Sequence, residues 1–209
     1  MKAIVFIGIQ GCGKGTQAKL LSEFSGYQHI NIGDLLRRQV AAASEIGMKV
    51  QSIISRGELV PDEVVFEIVS GSLEPGARGI IFDGFPRTRE QAEYLIEHYD
   101  VIRVYNLELS KQEAISRISA RRICQSCGHN FNIISLKPKI SGICDACGGE
   151  LITRPDDTPA SIENRINEFY EQTYNLIQFF ETKQLLKNVS ADQTIEEIFA
   201  QLKADYSSM

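Results

Sequence analysis

Apolar positions along the chain fall into two alternating patterns. Near-continuous runs at Ala3 to Ile7, Gly79 to Asp83 and Val101 to Leu107 predict strands, and Gln28 to Asn31 and Leu186 to Val189 read as two further short strands. Runs without polar alternation belong to strands covered on both faces, as in a parallel sheet. Between them, apolar residues recur at helical spacing: Ala18, Leu21 and Phe24 after Thr16; Val40, Ile46, Val50 and Ile53 ending at Gly57, with a break near Gly47; Val64, Val65 and Ile68 after Pro61. Asp34 is placed to cap the helix opening at Leu35. Thr88 to Gln91 and Ser110 to Glu113 have the form of capping boxes, the second opening a helix to Arg122. Thr158-Pro159 opens a helix through Ile162, Ile166, Phe169 and Ile177 to about Gln184, and a last helix runs from about Gln193 to Ala204. Strand alternating with helix predicts an α/β fold on a parallel sheet.

One stretch breaks the alternation. From Cys124 to about Arg154 the chain is rich in Cys, Gly, Asn, Lys and Pro, which predicts an inserted lobe. Cys124-x-x-Cys127 and Cys144-x-x-Cys147, with 16 residues between the pairs, have the spacing of a four-thiolate zinc ribbon. Gly128, Gly148 and Gly149 follow the pairs and permit tight knuckle turns. A closed thiolate shell leaves no open position, so the expected ion is structural, with His129 outside its ligand set. Four cysteines packed as small apolar residues is the alternative.

The first strand runs directly into Gly8-Ile9-Gln10-Gly11-Cys12-Gly13-Lys14-Gly15-Thr16, which leads into the first helix. Glycines let backbone N–H groups turn toward phosphate oxygens, the helix N-terminus adds partial positive charge, and Lys14 adds a point charge. The general phosphate-loop pattern has Ser or Thr directly after the Lys; here Gly15 intervenes and the hydroxyl is Thr16. Cys12 reads as a small filler of the turn. Asp83, closing its strand, lies where such sheets place a carboxylate near metal and phosphates.

Length and charge narrow the class. At 209 residues the chain suits one domain with insertions, and its net charge of −5 argues against a dedicated nucleic-acid or anionic-membrane surface. No segment approaches the roughly 20 apolar residues that span a bilayer, and Met1-Lys2 precedes a core strand rather than a signal peptide. Paired cysteines that ligate metal suit a reducing compartment, so the cytoplasm is the expected location. A zinc-ribbon nucleic-acid binder driven by an ATPase is a rival reading, given Lys137, Lys139 and Arg154 in the lobe; a guanine-reading Asn-Lys-x-Asp sequence is lacking.

Beside the phosphate loop stand Asp83-Gly84-Phe85-Pro86-Arg87-Thr88, Arg117 through Arg121-Arg122, and Arg154-Pro155-Asp156-Asp157. Together with the cysteine pairs they make the whole chain resemble adenylate kinases of the bacterial long-lid, zinc-containing type. That resemblance implies a P-loop NTPase-type, parallel five-stranded sheet flanked by helices. It implies a core of residues 1–30, 61–122 and 159–209, a helical monophosphate-binding arm of residues 31–60, and a zinc-ribbon lid of residues 123–158. It also implies transfer of the γ-phosphoryl of MgATP to AMP, giving two ADP, by a monomer with neither nucleic-acid nor membrane partner.

Carried over position by position, Gly11, Cys12, Gly13, Lys14, Gly15 and Thr16 would hold ATP phosphates, with Arg121, Asn130, Phe131 and Gln193 also on the donor side. On the acceptor side stand Ile32, Arg37, the base pocket Glu58, Leu59 and Val60, then Gly84, Phe85, Pro86, Arg87, Gln91, Arg154 and Arg165. Lys14, Arg87, Arg121, Arg154 and Arg165 would act in transfer. Zn2+ would sit on Cys124, Cys127, Cys144 and Cys147, and Mg2+ would meet Asp83 through water. Gln91 has a competing role as capping-box partner of Thr88, and Asp156 and Asp157 could simply pair with lid arginines. Three positions depart from the family pattern: Gln10 replaces a loop proline, Asn132 a histidine after the lid aromatic, and Ile32 a threonine. Loss of the hydroxyl at Ile32 removes one polar contact, which would either weaken AMP binding by about 1 kcal/mol or alter the base preference.

Overall fold

The computed structural model describes residues 1–209. Strands β1 (Lys2–Ile7), β2 (Gln28–Asn31), β3 (Gly79–Asp83), β4 (Asp100–Glu108) and, late in the chain, Leu186–Ser190 form one sheet. The three short strands β5 (Arg121–Cys124), β6 (Asn130–Asn132) and β7 (Leu151–Ile152) form a second, which makes Leu186–Ser190 β8. The large sheet has the order β2-β3-β1-β4-β8 and every pair is parallel. The small one is antiparallel, in the order β6-β5-β7.

The twofold alternation of strand side chains divides β1 between two cores. Ala3, Val5 and Ile7 pack with helices α2 (Ile32–Ala41), α3 (Glu45–Arg56), α4 (Asp62–Gly71), α5 (Arg89–His98) and α8 (Asn175–Thr182). Ile4 and Phe6 pack on the other face with α1 (Lys14–Ser25), α6 (Lys111–Ser119), α7 (Pro159–Glu168) and α9 (Ile195–Ser207). Because β1 is buried on both faces, only an unbroken apolar run satisfies it, which is why that pattern was legible. All strands of a parallel sheet end on the same side, so the loops after β1, β2 and β3 converge at one edge.

Several boundaries differ from the sequence reading, each for a local reason. Asn31 rather than Asp34 caps α2: its side-chain oxygen accepts from the Asp34 N–H at 2.8 Å, so the helix starts as the strand ends. The break expected near Gly47 falls at Ala42 to Ser44, where Ala43 takes φ 47° and Ser44 caps α3. Gly47 is needed for a different reason. A Cβ there would stand 2.1 Å from the Gln39 carbonyl oxygen, so the α2 and α3 backbones meet at that glycine. Gly57 ends α3 in the left-handed region, as expected.

Helix α6 stops at Ser119 instead of Arg122, because Arg121 and Arg122 pair with Asn132 and Phe131 in the small sheet. The predicted long helix after Thr158 is interrupted by a π-helical turn at Phe169–Thr173, which leaves the Thr173 hydroxyl donating to the Arg87 carbonyl at 3.0 Å. Thr88 and Ser110 cap their helices without the reciprocal bond, whereas Thr194 and Glu197 form a full capping box at α9.

The lobe built on the small sheet buries only Cys124, Phe131, Cys144 and Leu151 as its own core. Four side chains are far too few to hold a fold unit by apolar burial alone.

Replacing Gly47 by Ala is expected to destabilise the protein by about 2 kcal/mol or more, since the methyl meets backbone rather than a yielding side chain. A thermal midpoint equal to that of the native chain would contradict this account of the α2–α3 contact.

Candidate active site

The loop between β1 and α1 turns on three glycines with positive φ: Gly8 at 138°, Gly11 at 86° and Gly13 at 95°. Gly13 is the N-cap of α1 and supplies no side-chain cap, so the first N–H groups of the helix remain open to an anion. The Lys14 ammonium folds across the loop, donating to the carbonyls of Gly8 at 2.7 Å and Ile9 at 3.0 Å. Cys12 is buried beneath it, in keeping with a filler. Gly15 has a steric reason: a Cβ there would lie 3.1 Å from Asp83 Oδ2. A residue with a side chain directly after Lys14 would crowd that carboxylate, so the hydroxyl moves to Thr16.

Asp83 is buried at the end of β3 and accepts a hydrogen bond from Asn31 Nδ2. His29 Nε2 stands 3.8 Å away. Burial alone would raise the Asp83 carboxyl, but His29, Lys14 and Arg87 overcome it and hold it below the ordinary carboxylate range. An ionised oxygen donor of this kind suits Mg2+, which keeps most of its waters and takes one or two carboxylates.

Four of the arginines singled out in the sequence gather around Asp156 and Asp157, both buried, and Arg87 lies beside them near Arg165 and Arg37. Arg121 from β5 makes a two-pronged pair with Asp157, at 2.8 and 2.5 Å. Arg165 from α7 reaches Asp157 at 3.0 Å and also donates to Asp156. Arg37 from α2 lies 3.5 Å from Asp156 and 2.5 Å from Asp34. Arg154 donates to Asn130 Oδ1 at 3.2 Å, and its buried Nε has no partner. Arg87 Nε donates only to the Gly84 carbonyl at 3.0 Å. The two aspartates thus join arginines from three separate parts of the chain, more than the lid pairing considered at first.

The cations outnumber their partners. Lys14 and these five guanidinium groups face Asp34, Asp83, Asp156 and Asp157, a local positive excess in a chain of net charge −5. Partial burial, reinforced by Arg165 and Arg37, pushes the Arg87 guanidinium down to about 10, and burial with Arg121 and Arg37 does the same to Arg154. Crowded cations with an orphaned buried N–H are arranged for a ligand carrying several negative oxygens. A cavity of about 20 Å³ between Lys14, Gln10, Gly84, Pro86, Arg87, Phe169 and Thr173 lies against this group. That is room for about one water.

Other predicted positions are placed as follows. Gln91 is buried; its Oε1 accepts from the Arg87 N–H at 2.7 Å and its Nε2 donates to Asp62 at 2.6 Å, so its side chain does not close a capping box. Ile32 and Val60 are packed in the larger core with Phe85, and exposed Glu58 pairs with Arg56. Leu59 is half-buried between them. Phe131 is buried in the lobe's core, and Gln193 is exposed before α9, accepting from Gln201 at 2.6 Å. Arg117 is turned to Glu113 and the Ala191 carbonyl, outside the guanidinium group. Sequence reasoning did not single out Asp62, His29 or Thr173. Their spacing carries no motif, and only the fold brings them to the site.

In the lobe, the four cysteine sulfurs lie within 4.8 Å of one another and all are free thiols. Cys124 and Cys147 sulfurs are 3.4 Å apart, those of Cys127 and Cys144 3.6 Å. Tetrahedral ligands at about 2.3 Å from a zinc ion stand about 3.8 Å apart, so the residues fit that ion. Gly128 and Gly148 take positive φ, and their N–H groups donate to the carbonyls of Cys124 and Cys144 at 2.9 and 2.8 Å, giving two matching knuckles. The Cys127 N–H lowers the Cys124 thiol and favours its thiolate, while at Cys147 the Gly149 N–H is outweighed by contact with the neighbouring thiols, which raises it, so a bound metal would have to displace that proton.

The family model described as "Adenylate kinase" matches residues 6–185. The chain is 41% identical over 207 residues to an adenylate kinase of Methanocella arvoryzae, covering 96% of each. It is 39% identical over 204 residues to one of Treponema denticola, covering 97% of this chain and 98% of the relative, and 40% over 197 residues to one of Borreliella burgdorferi, covering 93% of each.

The pairing around Asp156 has a pH signature. Burial opposes ionisation, but Arg165, Arg37 and Arg154 hold its carboxyl below the ordinary aspartate range, as neighbouring cations do for Asp83. Stability from such groups is present above the unfolded-state value and is lost as pH falls through the lower folded-state one. Thermal midpoints measured from pH 5 to 2 should therefore drop steeply below about 3.8, and Asp156→Asn should flatten that drop.

Proposed function

The chain belongs to the adenylate kinase family, and from that premise we propose how its residues divide the work of moving the γ-phosphoryl of ATP to AMP with formation of two ADP. The observation that carries the assignment is the excess of guanidinium and ammonium charge around a glycine loop whose helix N-terminus is uncapped. Phosphoryl transfer passes through a loose transition state with charge spread over the equatorial oxygens, so positioned cations do more than a strong base.

In this reading the N–H groups of Gly11 to Thr16 cradle the donor phosphates and Lys14 leaves the Gly8 and Ile9 carbonyls to bind them. An AMP phosphate oxygen attacks the γ-phosphorus as the bond to the β–γ bridging oxygen breaks. Arg87, Arg37 and Arg165 hold the acceptor phosphate, while Arg121 and Arg154 meet the transferring group from the opposite side. Magnesium bound with ATP would supply charge neutralisation, and Asp83 is the carboxylate that would hold it through water. Asn130, Phe131 and Gln193 mark the donor-nucleoside side. Gly84, Phe85, Pro86 and Gln91, with Ile32 and the Glu58 to Val60 segment, bound the acceptor.

Residues 31–60 act as the acceptor arm and residues 123–158 as the lid, moving on the core of residues 1–30, 61–122 and 159–209. Their closure excludes water that would otherwise accept the phosphoryl group. The cysteine quartet holds a structural zinc ion that gives the lid its shape. In this reading the protein is a cytoplasmic monomer, and the net charge of −5 argues against a dedicated nucleic-acid or anionic-membrane surface. No helix is long and apolar enough to cross a membrane. Against the nucleic-acid rival, Phe131 is the only aromatic residue of the 123–158 segment and is buried, leaving no platform for stacked bases.

Coupled assays should detect ADP only when ATP and AMP are both present, with AMP preferred over CMP, UMP and GMP. Lys14→Met should lower turnover by about two to three orders of magnitude with an unchanged circular dichroism spectrum. ATP consumption without AMP would oppose the reading.

Metal analysis should find one zinc ion per chain. Cys144→Ser should lower both zinc content and the thermal midpoint more than it lowers turnover at low temperature. A metal-free protein that melts as late as the loaded form would refute the structural role.

A further inference from the structure

Gln91 sits against the acceptor side with both ends of its amide tied. The Arg87 backbone N–H can only donate, and it meets Oε1 at 2.7 Å; the Asp62 carboxylate can only accept, and it meets Nε2 at 2.6 Å. Those partners fix which end is oxygen and which is nitrogen. Asp62 is itself held, because its other oxygen accepts from the Thr88 hydroxyl at 3.0 Å. Thr88 in turn accepts from the Gln91 N–H at 3.1 Å. Asp62 opens α4 directly after the Glu58 to Val60 segment, so one carboxylate joins that wall to the loop carrying Arg87.

A primary amide offers two N–H donors and two acceptor lone pairs. With one of each engaged, Gln91 retains one N–H and one lone pair in a fixed order. A 6-aminopurine presents a ring-nitrogen acceptor beside an exocyclic N–H donor and matches one order. A 6-oxopurine presents an exocyclic oxygen beside a ring N–H, the reverse order. An amide free to turn over would serve both, whereas a locked one sets N–H against N–H and oxygen against oxygen when the wrong base enters.

We propose that Asp62 is a positioning residue that makes the acceptor site select 6-amino over 6-oxo purine monophosphates by locking the Gln91 amide. The inference rests on the reading of Gln91 as the group facing the acceptor base.

The test is kcat/KM for AMP and for IMP, which differ at the purine 6-position, with ATP as donor. The native chain should prefer AMP strongly. Asp62→Ala should lower the AMP-to-IMP ratio by about tenfold or more, because removing a hydrogen-bonded lock relaxes discrimination. Asp62→Asn, whose Oδ1 can still accept from Gln91, should restore most of it. Should the Ala variant fail to fold, Asp62→Ser, with a hydroxyl too short to reach Gln91, takes its place with the same expected ratio. A mere loss of stability would reduce both substrates alike. An unchanged ratio in Asp62→Ala, or no recovery in Asp62→Asn, overturns the proposal. Gln91→Leu separates the two layers: if it leaves the ratio untouched, the reading of Gln91 itself fails, and if it collapses the ratio while Asp62→Ala does not, only the lock fails.

Discussion

Mutual repulsion among crowded, mostly half-buried guanidinium groups is the constraint around which this molecule is arranged. Arg37, Arg121, Arg154 and Arg165 come from the helical insertion, the small lobe and α7, and without counter-charge they would drive those parts away from one another. Asp156 and Asp157 prevent that by accepting from several arginines at once. The compensation is incomplete: Arg87 and Arg154 remain displaced from their ordinary basicity. The site is thus held together and left short of negative charge, a state that a phosphate-bearing ligand relieves.

The parallel sheet makes such a gathering possible. β1, β2 and β3 all end at one edge, so the glycine loop, Asn31 and Asp83 arrive there without any long connection. Contacts through backbone groups then tie the edge to its surroundings. Asn31 caps α2 with one end of its side chain and donates to Asp83 with the other. Thr173, exposed to the Arg87 loop by a π-helical turn, bonds a carbonyl that an uninterrupted helix would miss.

How much of this could be read from the sequence varied with the range of the forces involved. Strands buried on both faces write themselves as apolar runs, as β1 and β3 do, whereas the partly exposed edge strands β2 and β8 carried a weaker pattern. The glycine loop and the two cysteine pairs were legible because their chemistry depends on residues a few positions apart. Boundaries failed where a distant partner overrode local preference: α6 ends early because Arg121 and Arg122 find a ladder in β6, and the helix after Thr158 changes pitch at the turn where Thr173 meets Arg87. Asp34 looked like a cap, yet Asn31 came first and had the right geometry. The arginines were recognised as a set and Asp156 and Asp157 as partners for lid arginines, but their reach to Arg37 in α2 and Arg165 in α7 was not, because only the fold brings those helices to the lobe. Asp62 carried no local signal at all, lying 29 residues from the side chain it holds.

The sparse interior of the small lobe has a consequence for how this protein meets heat. Its main body is secured by two broad apolar layers, whereas the appendage has four buried side chains and a knot of sulfurs. The two portions therefore draw on different reserves, and the smaller one is the fuse. Because the appendage relies on its sulfur ligands rather than on packing, residues there can be exchanged to suit a hotter habitat without disturbing the two apolar layers that carry the catalytic floor.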